Sequence, residues 1–148
     1  MMGAAHAGDT KKAVEELKTK LLKMGGPKID GTEKVGEITA PVIYFGSHKI
    51  NNNHDVVDDV KKSSGASATV FVKDGNEFVR VSTNVMTPKG ARGTGTKLAH
   101  NKAYDAVIKG ELYCGDVEIL GADFNTCYDP INDKSGKTIG IYFVGFKK

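Results

Sequence analysis

The chain has 148 residues, 39% hydrophobic and 26% charged, the balance of one globular domain with a core of its own and too short for two. Lysine plus arginine exceeds aspartate plus glutamate by 21 to 18, and the surplus is spread along the chain instead of forming a basic stripe with interleaved aromatics, so nucleic-acid binding has no support. The longest apolar runs, such as Ile139 to Phe146, fall far below the roughly 20 residues of a membrane-spanning helix, so no membrane span is expected.

The start, Met1 to Ala7, ends in an Ala-x-Ala pattern just before the polar Gly8-Asp9-Thr10. It reads either as the tail of a secretory signal peptide or as an expression artefact or flexible start. The expected organisation is therefore a signal-peptide remnant or disordered start over 1–8 and one ligand-binding domain over 9–148. Asp9 or Thr10 can cap a helix whose Val14, Leu17, Leu21 and Met24 recur at helical spacing, with Gly25-Gly26-Pro27 as its stop. Lys28 to Glu37 turns polar and reads as a connection. Ile38 to Phe45 reads as a strand, with Pro41 marking an edge or an irregular start. Asn51 to Asn53 then supply caps for a short helix with Val56, Val57 and Val60 on one side, ended by Ser63-Ser64-Gly65.

Ala68 to Val72 is a β-prone run, and Asp74-Gly75-Asn76 is a hairpin-turn signal leading into Phe78 to Val85. A glycine-rich loop runs from Thr87 through Gly95, and Ala99 to Lys109 is expected to be a third helix with Gly110 as its C-cap. The remainder predicts a three-strand meander, Leu112 to Leu120, Phe124 to Ile131 and Thr138 to Phe146, with turns near Gly121-Ala122-Asp123 and at Asn132 to Gly136. The expected class is α+β, about six strands in a mainly antiparallel sheet with helices on its faces.

Side chains alternate along a strand, which places Arg80, Ser82 and Asn84 on one face and Val79, Val81, Thr83 and Val85 on the other. That polar face is either solvated or the floor of a pocket in which the guanidinium fork grips a carboxylate. Gly90 to Lys97 fails as a phosphate loop, because Thr96 separates Gly95 from Lys97. Tyr113 and Tyr128 fall on adjacent strands, where each is a pocket wall with a hydrogen-bonding tip or a core tyrosine. His48 and His54, near Asp55, Asp58 and Asp59, match no standard metal spacing and read as solvated. Cys114 and Cys127 lie on predicted hairpin partners, so a disulfide is open to them if the register brings their Cα atoms within about 7 Å. No nucleophile elbow or cofactor motif appears, so neither catalysis nor a cofactor is expected.

Several ordered blocks carry a resemblance: Ala68-Thr69-Val70-Phe71-Val72, Phe78 to Val85, Gly90-Ala91-Arg92 with Gly95-Thr96, Gly110-Glu111-Leu112-Tyr113 with Gly115, Ile119-Leu120-Gly121, Tyr128-Asp129-Pro130-Ile131 and Gly140 to Gly145. In order and spacing this segment, Ser67 through Gly145, resembles the single Cache domains of methyl-accepting chemotaxis proteins and sensor kinases, of the Cache-three/Cache-two fusion type. The resemblance implies a PAS-like fold with a five- or six-stranded antiparallel sheet, a helix along one side, and a pocket on the other for small extracellular metabolites, often carboxylates. Arg80, Ser82, Asn84, Arg92, Tyr113 and Tyr128 are then the candidate ligand contacts, with Arg92 in the family's pocket-flanking loop. The implied role is a periplasmic or extracytoplasmic sensor in chemotaxis or signal transduction, partnered by a small carboxylate and by a membrane receptor or a second copy. Alternatives are a small enzyme or cofactor carrier on the same scaffold, or a protein-interaction module. Family members usually continue into membrane-linked helices, whereas this sequence ends at Phe146-Lys147-Lys148, which favours either a receptor fragment or, with the Ala-x-Ala start, a free-standing periplasmic form.

Overall fold

The computed structural model describes residues 7–148. The signal-peptide reading falls on residues 1–8 and so lies almost wholly outside the described residues. Helix α1, Ala7–Leu22, buries Ala13, Val14, Leu17 and Leu21, the 3.6-residue stripe predicted for it. It starts before the expected caps, so Thr10 is inside the helix and buried. Met24 lies in the closing turn, where its N–H donates to the Leu21 carbonyl.

The expected connection after α1 is a strand. β1, Pro27–Val35, β2, Ile38–Phe45, and the short β3, His48–Lys49, form a three-stranded sheet in that order. β1 gives no period-2 signal because nearly all its side chains are exposed, and its pairing shifts between Ile29 and Thr32, where Gly31 sits at φ +77°. β2 carries the burial for the pair, sending Ile43 and Phe45 into the core. Pro41 lies beyond the reach of β3, whose partners are Tyr44 and Phe45, so its missing N–H breaks no ladder on that side.

α2, Asp55–Ser64, buries Val57 and Val60 and ends on Gly65, whose left-handed φ of +81° lets its N–H reach the Lys61 carbonyl. β4, Ser67–Asp74, and β5, Glu77–Thr83, form the predicted hairpin about Gly75 and Asn76. α3, Lys102–Val107, is shorter than expected. It begins at Asn101, whose side chain accepts the Tyr104 N–H, because Leu98 just upstream is held in extended pairing with Phe78. β6, Tyr113–Ile119, β7, Ala122–Asn132, and β8, Thr138–Lys147, complete the meander.

The five later strands form one antiparallel sheet in the order β5-β4-β8-β7-β6, the PAS-like arrangement. The expected antiparallel sheet is this one of five strands, and the three-stranded sheet stands beside it, eight strands in all among the described residues. Both faces of the large sheet are covered. Ala68, Val70, Val72, Cys127, Tyr142 and Val144 pack on the first face against α1, α2 and β2. Phe71, Phe78, Phe124, Tyr128, Ile141 and Phe143 pack on the second with Leu98 and with Ala103 and Val107 of α3. Double coverage is why β4 and β8 read as nearly unbroken apolar runs. Each large apolar side chain fully buried there contributes about 1.5–3 kcal/mol.

Candidate functional site

The segment 84–101 joins β5 to α3 and roofs the second face. It runs along the outer edge of β5: the Arg80 N–H donates to the Thr96 carbonyl at 2.9 Å, the Gly95 N–H to the Arg80 carbonyl at 2.8 Å, and the Leu98 N–H to the Phe78 carbonyl at 2.9 Å. The edge is thereby closed, and the roof reaches the β6–β7 hairpin tip, where a Cβ on Gly93 would meet Leu120 Cδ1 at 2.8 Å. The roof is also braced from outside. Gly36, in the turn between β1 and β2, meets Gly95 so closely that a Cβ on Gly95 would lie 2.6 Å from the Val35 carbonyl oxygen.

Beneath the roof is a cavity of about 90 Å³, walled by Arg80, Leu98, Val117, Ile119, Leu120 and Tyr128, and lined also by Asn101 and by the exposed Lys97 and Glu118. Arg80 is 3% exposed. One terminal nitrogen donates to Thr96 Oγ1 at 3.0 Å and to the Lys97 carbonyl at 3.1 Å, and the guanidinium lies 5.0 Å from the centre of the Phe71 ring. Among the described residues no carboxylate is paired with it. Burial pulls its pKa down, but a guanidinium stays protonated at neutral pH. Tyr128 is wholly buried, its hydroxyl has no protein partner, and burial pushes its pKa well up, so the phenol stays protonated as a donor. The cavity thus presents one unneutralised buried cation and one free buried hydroxyl, an arrangement suited to a small anion.

Residues 8–148 match the Cache 3/Cache 2 fusion domain. The chain belongs to the Cache family. No curated protein matches it. Cache domains are sensor modules for small ligands, typically extracellular, and as a rule not enzymes. Among the described residues of this Cache domain no helix is long and apolar enough to cross a membrane, and no three metal-ligating side chains gather.

Of the six expected contacts, the Cache domain brings two, Arg80 and Tyr128, to the one cavity. The expectation that Arg80, Ser82 and Asn84 share a face fails, because the β4–β5 register shifts at Val81: Phe71 faces Arg80, but Val70 faces Ser82. Ser82 is therefore turned to the first face, where its hydroxyl donates to the Asn53 carbonyl at 2.7 Å. Asn84 ties chain to chain, accepting the Ala68 N–H and donating to the Val57 carbonyl. Arg92 is gripped by Asp58 and by the Thr83 carbonyl, away from the cavity. Tyr113 stands opposite Tyr128 with ring centres 6.3 Å apart, but folds along β6 over Gly115 and borders a separate shallow groove.

His54, expected to be solvated, is half-buried, and its Nδ1 accepts the Thr83 N–H at 3.1 Å. Thr96, which holds Arg80, and Val117 and Ile119, which wall the cavity, were not among the expected contacts. Their one signal is position, a threonine in a glycine-rich loop and apolar residues at alternate places on a strand. Cys114 and Cys127 face each other across β6 and β7 and form a disulfide, so the hairpin register is the one that pairs them.

Proposed function

We propose that this Cache domain is an extracytoplasmic sensor of a small carboxylate, which Arg80 and Tyr128 bind between the sheet and the roof segment. The observation that carries the reading is the convergence of an unpaired buried guanidinium and an unpartnered buried hydroxyl on one cavity. A buried unpaired charge is costly, and a carboxylate would satisfy both donors at once. The volume, about 90 Å³, is the share of about three waters, and suits a monocarboxylate of acetate to pyruvate size better than a dicarboxylate.

Residues 1–8 would be a leader cleaved near Ala7, and 9–148 the sensor domain, acting in the periplasm. A disulfide between the two cysteines of the chain supports an oxidising compartment. Occupancy of the cavity would order the roof, and a membrane receptor or a second copy of the chain would read that change in chemotaxis or related signalling.

A thermal-shift screen of acetate, propionate, lactate, pyruvate and small dicarboxylates tests the reading. A ligand that binds only the folded state adds about 2.7 kcal/mol at 100 times its Kd, a shift of several degrees. The expected result is a shift with a small monocarboxylate that Arg80→Ala weakens by about tenfold or more. A carboxylate that stabilises wild type and Arg80→Ala equally, or no response to any anion, would overturn it.

A further inference from the structure

We infer a second small-molecule site, separate from the Arg80 cavity, for an organic anion with an apolar body and acidic groups at both ends. It is a cleft of about 880 Å³ where the β1–β2 hairpin meets the β4–β5 and β7–β8 turns, within the size range of small-molecule sites and far larger than the first cavity. Pro27, Ile29, Pro41 and Ile139 give it apolar walls, and Ile29 is left 40% exposed there. Lys28 stands on one bank and Lys73, Lys134 and Lys137 on the other.

None of these four lysines is in an ion pair among the described residues. Lys28 Nζ lies 5.9 Å over the Tyr44 ring, and Lys73 Nζ donates to the Gly75 carbonyl. The single acid of the cleft, Asp133, is turned into its own turn: its Oδ1 accepts the Ser135 N–H, the Ser135 hydroxyl and the Lys137 N–H at 2.7–3.0 Å. Those donors hold its carboxyl below the usual range and fix the turn that presents Lys134 and Lys137. A shallower groove beyond that turn shares Lys73 and Lys137 and adds Lys109, so the positive field continues past the cleft. Apolar walls between two cationic banks complement an apolar spine with an anion at each end. A hydrocarbon alone would leave the lysines unused, and an inorganic anion would leave the walls unused.

Octanedioate is the probe and uncharged octanediol its control, each titrated into the whole chain and followed by backbone amide shifts. Octanedioate is expected to move Ile29, residues 73–75 and residues 133–139 saturably, and octanediol to bind about tenfold more weakly or worse. The exposed-site variants Lys28→Glu and Lys134→Glu/Lys137→Glu should each weaken octanedioate by about tenfold or more, since each puts an anion on one bank. Arg80→Ala should bind octanedioate as wild type does, which separates this site from the first. Shifts centred on the Arg80 cavity, equal binding of octanediol, unchanged affinity in the charge-reversed variants, or no saturable shift would each overturn the inference.

Discussion

Arg92 grips Asp58 with both terminal nitrogens, at 2.9 and 2.8 Å, and so fastens the roof of the cavity to α2. The pair is partly exposed, with side chains 34% and 46% accessible, so its worth lies near the top of the surface range, about 1 kcal/mol. Arg92→Ala should lower the melting temperature by about 2–4 °C and leave the response to small carboxylates in place. Loss of that response to the extent seen in Arg80→Ala would put Arg92 among the ligand contacts.

Tyr128→Phe should act in opposite directions with and without ligand. Removing a buried hydroxyl that has no protein partner lifts a desolvation cost of about 1–3 kcal/mol, so the ligand-free variant should be as stable as wild type or more so. The carboxylate-induced shift should shrink. Denaturant melts with and without ligand measure both, and a ligand-free variant less stable than wild type by over about 1 kcal/mol would show that the hydroxyl has a native partner.

His54 should make the fold acid-sensitive. Burial first, and then the Arg92 charge, lowers its pKa, against the opposing pull of Asp58 and Asp55. The unfolded chain therefore takes up a proton at higher pH than the native one. The contribution is complete above the unfolded value of about 6.5 and is lost as the pH falls below it. His54→Asn keeps an acceptor for the Thr83 N–H but cannot titrate, so its stability should fall less than that of wild type between about pH 7.5 and pH 5.5. Parallel urea-denaturation profiles for the two proteins would rule this out.

The Cys114–Cys127 bond closes a short loop, its partners 13 positions apart in sequence, for which chain-entropy reasoning gives about 3 kcal/mol. Cys114→Ala/Cys127→Ala should lose roughly that much in urea melts. Native protein should show no free thiol, and reduced, unfolded protein two. Equal counts in the two states would reject the bond.

The parts of the fold that were legible are those whose side chains take sides. α1, α2, the β4–β5 hairpin and the meander declare themselves because Leu17, Val60, Val70 or Ile141 must leave water at regular intervals. β1 is silent because its strand character comes from pairing with β2 and not from burial. In the site, Arg80 was legible as a charge in an apolar strand, and Tyr128 as an aromatic on its neighbour. The partner of Arg92 was not, since Asp58 is 34 residues away and nothing local joins them.

One extra residue at Val81 divides β5 by function. Before it, Arg80 lines the cavity; after it, Ser82 and Thr83 bond to other parts of the chain, through Asn53 and His54. The extra residue works as a change of parity. Arg80 ahead of it is turned to the cavity, while Ser82 and Thr83 behind it hold β5 to the residues that lead into α2, and the two sets need not change together. An unbroken register, with Val81 facing Val70, would instead put the Ser82 hydroxyl on the side of Arg80, altering the chemistry of the cavity and breaking the bond to the Asn53 carbonyl in one step.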